Sequence, residues 1–179
     1  MTRDSGAITG PRPRRVVVGV GHPDRGDDAV GPVVVQHLRD VLRHGAGASA
    51  TVTDGLELVD QADPTQLLQL WEGAALAVVV DAVRCDRPCG SIVVHDLADP
   101  PAQPEGNDRW TTGGTHALGV AEAVELSRVL GTLPPSVVAV GVVAGGGDLG
   151  TQLSPQVAAA VDEAAQAVVR VLARLVQTR

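Results

Sequence analysis

Three runs of consecutive small apolar residues constrain this chain more than any other feature: Arg15–Val20 (RVVVGV), residues 75–80 (ALAVVV) and Val137–Val143 (VVAVGVV). A strand with one face in water alternates apolar and polar residues, whereas an unbroken valine run has no wet face. Such strands must be covered on both sides. The segments between them supply the cover. Val30, Val34, Leu38 and Leu42 recur at helical spacing and predict a helix over residues 28–43, with Asp27 as its cap. Ser154-Pro155 reads as an N-cap followed by a first-turn proline, opening a helix that runs almost to the end. Shorter signals predict strands over residues 50–53 and 91–95, a helix over 64–72, and a helix over 116–130 capped by Thr115.

Strands thus alternate with helices along nearly the whole chain. That order predicts an α/β protein: a three-layer α/β/α sandwich around a mostly parallel sheet of about five strands. No repeat or linker interrupts it. The expected organisation is a disordered tail over residues 1–14 and one domain over residues 15–179. Residues 99–114 read as a long polar, mobile loop, and GGGDLGTQ as a flexible one.

Composition narrows the function. The chain has no Phe or Tyr, two Trp, and a net charge of −7 over 179 residues. An acidic surface repels phosphate backbones, and ring faces for base stacking are missing, so nucleic-acid binding is not expected. No apolar run reaches membrane-spanning length, and the arginine-rich start lacks the apolar core of a signal peptide. A cytoplasmic monomer is the expectation. Cys85 and Cys89 lack the second pair that a zinc site requires and read as loop thiols in a reducing compartment.

In open parallel sheets, ligands bind beyond the carboxyl ends of the strands. This sorts the polar residues. Asp27 and Asp28 follow the first strand, Asp54 and Gly55 the second, and Asp81 closes the run at 75–80. His116 opens the helix after the long loop. A carboxylate after six apolar residues is costly unless it is hydrogen-bonded, paired or bound to a cation. Two carboxylates and one imidazole would form an open O,O,N site suited to a borderline divalent ion such as nickel or zinc. GVGHPDRG hints at dinucleotide binding, but Asp24 stands where the spacing needs another residue, the next glycine is Gly26, and no G-K-[ST] follows. A nucleotide- or anion-binding domain using Gly19, Gly21 and Gly26 is therefore a rival reading.

The run GVGHPDRGDDAVGPVVVQHL resembles the opening of the hydrogenase maturation peptidases, with its G-x-G-N, short loop, acidic pair and glycine. VVVDAV is similar to the family's second acidic position, THALGVAEAVEL to its histidine segment, and LSPQV to the start of its final helix. The resemblance implies a three-layer α/β/α endopeptidase. Such an enzyme removes the C-terminal extension of a nickel–iron hydrogenase large-subunit precursor after nickel insertion. It implies that Asp28, Asp81 and His116 are both the metal-contacting and the catalytic positions. Nickel would arrive on the substrate, zinc or cadmium could substitute in vitro, and no organic cofactor is expected. His22, Asp27, Asp54 and Gly55 are candidate substrate-binding residues. Two departures stand out: His22 replaces the usual asparagine, and Asp28 replaces a frequent glutamate and is one methylene shorter. A non-enzymatic nickel or precursor chaperone with the same residues is the alternative.

Overall fold

The valines of β1 (Arg15–Val20) are fully enclosed, as an unbroken apolar run requires. In the computed structural model, which describes residues 13–44, 53–98, 111–112, 119–145 and 152–177, β1 lies between two parallel neighbours. These are β2 (Leu56–Ala62) and β3 (Leu76–Arg84). β6 (Val137–Val143) pairs parallel on the far side of β3, and β4 (Ile92–Asp96) runs antiparallel along β6. The strand order is β2-β1-β3-β6-β4, and the two-residue β5 (Thr111–Thr112) pairs antiparallel with Val83 and Arg84 of β3. The chain is thus the mostly parallel α/β sandwich predicted from the valine runs.

Helices fill both outer layers. On one face, α1 (Val30–His44) and α4 (Pro155–Gln177) pack against Val17, Val78, Val80, Val138, Val140 and Val142. On the other, α2 (Leu67–Leu70), Trp71 and α3 (Val120–Leu130) cover Val16, Val18, Ala77, Val79 and Val137. Successive strand residues point to opposite faces, so each valine run feeds both cores in turn. The indole Nε1 of fully buried Trp71 donates to Ser127 Oγ at 3.0 Å, which satisfies both groups inside the second core.

Three local expectations change. The strand expected over residues 50–53 instead begins after Gly55, and residues 50–52 lie outside the described ones. β2 is an edge strand in which half-buried Leu56 and Leu58 flank exposed Glu57, so its signal is alternation rather than an apolar run. β3 does not stop at Asp81 but continues to Arg84, because β6 keeps pairing it as far as Val83. The helix expected over 64–72 is a 3-10 turn (Pro64–Gln66) running into α2. Asp63 caps it by accepting from Thr65 N at 2.9 Å, and Gln66 Oε1 in turn accepts from Asp63 N.

Of the expected tail, residues 1–12 lie outside the described ones, but Arg14 is fastened. Its guanidinium donates to Glu57 Oε2 at 2.7 Å and to the Leu70 carbonyl at 2.8 Å. Of the loop expected over 99–114, only Thr111 and Thr112 of β5 are described, and residues 146–151 of the second loop lie outside the described ones. Among the described residues, no helix is long and apolar enough to cross a membrane.

Candidate active site

β2 and β3 flank β1 on opposite sides, so connections from β1 and β3 leave in opposite directions along the sheet. This is the switch point at which open α/β sheets bind ligands. Its floor is the stretch of β3 left between two pairings. β1 pairs with β3 as far as Val80, and β5 takes up pairing at Val83. Asp81 stands in that gap. Toward β6 it is in register with Gly141, which projects no side chain beside it.

Asp81 shares a sheet face with Val79 and Val83, two residues to either side, and so faces the α2/α3 layer. It is only 4% exposed. Among the described residues its Oδ2 has no hydrogen-bond partner. Burial pushes its carboxyl well above the usual carboxylate range. The nearby Asp28 charge pushes the same way, and a hydrogen bond from the Ala82 backbone opposes both. An acid this enclosed, beside a second acid, favours either a proton or a cation.

Asp28 reaches the gap from a 3-10 turn, Gly26–Ala29, that links the end of β1 to α1. Its Oδ2 accepts from the backbone N–H of His22 at 2.9 Å. Two close approaches put the turn there. A Cβ on Gly31 would lie 2.3 Å from the Val20 carbonyl oxygen and 2.5 Å from that of Val80, so the first turn of α1 rests on the ends of β1 and β3. Gly21 has φ +134°, and a Cβ on it would lie 1.9 Å from the Asp28 carbonyl oxygen. With Gly19, whose Cβ would meet Gly31 at 2.6 Å, these contacts account for Gly19 and Gly21 through packing alone.

The remaining candidates separate. His22 fills its turn: its Nδ1 accepts from Asp24 N at 3.2 Å, and the ring is exposed. Asp27 does not cap α1, because its buried carboxylate turns the other way. It accepts from Ser154 N at 2.6 Å, Ser154 Oγ at 3.1 Å and Gly145 N at 3.2 Å. Asp54 and Gly55 are not at this rim. They precede β2, whose Leu56 is in register with Arg15, so they lie at the amino edge of the sheet. There the Arg15 N–H donates to the Gly55 carbonyl at 2.8 Å, and its side chain to the Asp54 carbonyl. The acids that β2 brings to the carboxyl edge are Asp60, paired with Arg39 at 3.0 Å, and the capping Asp63. Cys85 and Cys89 are free thiols, and Cys89 Sγ lies 3.9 Å from Ser154 Oγ.

His116 lies outside the described residues, as does the expected cap Thr115. Described helix α3 begins at Val120, where the Gly119 N–H donates to Glu122 at 3.0 Å. Among the described residues no three acid, histidine or cysteine side chains converge as a metal cluster, and Asp28 with Asp81 form the acidic pair.

The fold and the acidic pair at its switch point define a class: a three-layer α/β/α protein with two facing carboxylates at the carboxyl edge of a mostly parallel sheet. The hydrogenase maturation protease family model matches residues 50–171, and the chain belongs to that family of peptidases. The hydrogenase maturating endopeptidase HybD from Escherichia coli has a similar structure, at 22% identity over 90% of this chain and 93% of that one, with a TM-score of 0.67. The [NiFe] hydrogenase maturation protease HycI from Thermococcus kodakarensis is similar at 19% identity over 92% and 96% of the two chains, with a TM-score of 0.61. HybD from Thermococcus kodakarensis is similar at 19% identity over 89% and 99%, with a TM-score of 0.62. No curated protein matches this chain.

Proposed function

We propose that this peptidase removes the C-terminal extension of a nickel–iron hydrogenase large-subunit precursor, and that it reads nickel carried by that precursor. The observation that carries the reading is the buried Asp81 Oδ2, without a hydrogen-bond partner among the described residues and beside the charge of Asp28. Two acids beside this gap in the pairing of β3 repel one another, and a cation brought by a substrate relieves both the burial cost and the repulsion. An oxygen-rich, incomplete ligand set suits a metal that is already held elsewhere. His116 is the proposed third contact.

In this reading, Asp28 and Asp81 meet an open coordination position of the precursor's nickel. The scissile amide is thereby tethered at the switch point. One carboxylate accepts a proton from the attacking water as its oxygen adds to the amide carbon, and returns that proton to the amide nitrogen as the C–N bond breaks. Proximity does much of the work, because the peptide becomes an intramolecular neighbour of the base.

The test is cleavage of precursor prepared with and without nickel. Cleavage of the loaded form alone is expected. Equal cleavage of both would remove nickel recognition. A stable complex that is never cut would make the protein a precursor-binding chaperone.

A further inference from the structure

We infer that Asp27 is a positioning residue that holds Asp28 at the switch point by fastening its turn to the start of the last helix. The two consecutive aspartates leave one 3-10 turn toward different partners. Asp28 takes the His22 N–H, while Asp27 turns toward Gly145, just after β6, and Ser154, just before α4. Asp27 is 4% exposed and accepts three hydrogen bonds, from Ser154 N, Ser154 Oγ and Gly145 N. A carboxylate accepting several N–H and O–H bonds in a buried place is held firmly, since each bond to an ionised group is worth more than a neutral one.

The direction of these bonds shows what is fastened to what. Ser154 is the residue before Pro155, and its carbonyl accepts from Ala158 N at 2.8 Å, as an N-cap does. Its hydroxyl does not cap its own helix but donates to Asp27. Asp27 therefore sits at the positive end of α4 and acts as a cap supplied from another part of the chain. A helix of 23 residues, packed along one core face, is a rigid post. Tying the turn to it fixes the backbone from which Asp28 projects. The third bond, from Gly145, ties in the carboxyl end of β6, the strand whose Gly141 stands beside Asp81. The turn of one acid and the strand neighbouring the other are thus held by one buried carboxylate.

This inference rests on the reading that Asp28 belongs to the site, and its test separates the two. Amide hydrogen exchange is measured by NMR in the whole protein, in Asp27→Asn, and in the milder Ser154→Ala, which removes the hydroxyl donor and keeps the two backbone donors to Asp27. The reporting amides are His22, which donates to Asp28, and Asp28 itself, which donates to the Arg25 carbonyl. Val78 of the core is the reference. Exchange at His22 and Asp28 should quicken about tenfold in Asp27→Asn, and less in Ser154→Ala, with Val78 unchanged. If only Gly145 and Ser154 quicken while His22 and Asp28 keep their protection, Asp27 merely anchors the last helix and the inference is overturned. Precursor cleavage is followed in the same variants. Failure of the unmodified protein to cleave would remove the proposed function while leaving the exchange result to decide the role of Asp27.

Discussion

Asp28 and Asp81 repel each other across the switch point: one projects from a 3-10 turn, the other from the middle of a central strand, and the charge of the first raises the proton affinity of the second. Neither acid is placed by its neighbours in sequence alone. The Gly31 backbone contact with Val20 and Val80 brings their elements together, and the gap between the β1 and β5 pairings of β3 leaves Asp81 open to that side.

Replacement of Asp81 should therefore separate activity from folding. Asp81→Asn keeps the side-chain volume but removes the charge that would meet a cation or take a proton from water. Cleavage of the loaded precursor should fall by at least about a hundredfold, the lower range for loss of a general base. Circular dichroism should remain that of the folded protein. A variant retaining near-normal turnover would remove Asp81 from the chemistry.

The same substitution should stabilise the fold, with a defined pH dependence. A carboxyl whose folded-state affinity for protons is raised contributes its full stability below the unfolded carboxylate range, near about 3.9, and loses it as pH rises through the folded value. Relative to Asp81→Asn, the unmodified protein should thus become progressively less stable as pH rises through that interval. The gap should level off once Asp81 is ionised. Thermal unfolding at stepped pH measures it, each kcal/mol appearing as roughly 2–4 °C for a chain of this size. Asp28→Asn should reproduce part of the effect, because it removes the second cause of the shift. A difference that is flat with pH would contradict the burial and repulsion of Asp81.

How far this arrangement could be read from sequence depends on the kind of signal each residue carries. β6 is legible to the residue because an unbroken valine run has one interpretation, and α4 because Ser154-Pro155 marks its start. β2 is not legible in that way. It is an edge strand whose alternating Leu56, Glu57 and Leu58 look like loop beside the valine runs. Misplacing it by a few residues moves Asp54 and Gly55 to the wrong edge of the sheet, since a parallel strand has its ligand edge only at its carboxyl end. Asp28 follows from the rule about strand ends, and Asp81 follows from it because β1, though not β3 itself, ends beside Val80. The partners of Asp27 do not, because Gly145 and Ser154 are brought to it by tertiary contacts that leave no trace in local pattern. Gly31 belongs to the opening motif as its closing glycine, but nothing in that pattern says that two strand ends press against it.

That contact makes Gly31→Ala a severe change in spite of alanine's helix propensity. The added Cβ would stand 2.3 Å and 2.5 Å from two backbone carbonyl oxygens, neither of which can rotate away as a side chain would. Helix and sheet would have to separate at the switch point. A loss of about 3 kcal/mol, the upper range for overpacking, is expected in denaturant unfolding, together with loss of cleavage. Gly131→Ala is the comparison. A Cβ there meets nothing within 4 Å, and only its φ of +70° is unfavourable, so a cost nearer about 1–2 kcal/mol and normal cleavage are expected.

The second core offers a change that tests packing without touching the site. Ser127 is fully buried on α3, and its hydroxyl accepts the only polar hydrogen of the Trp71 side chain. Ser127→Ala would leave that N–H enclosed with no acceptor, at a cost of about 1–3 kcal/mol, because a buried donor loses water on folding and gains nothing in return. The expected signature is a fall of several degrees in Tm with unchanged turnover. Ser127→Thr keeps the hydroxyl but adds a methyl to a filled space, so it should also destabilise, for a different reason. The two are told apart in a Trp71→Phe background. There the alanine loses most of its penalty because no donor is left to satisfy, whereas the overpacking of the threonine persists apart from what the smaller ring relieves. Equal penalties for Ser127→Ala in both backgrounds would show that the hydrogen bond contributes nothing to the stability of the α2/α3 layer.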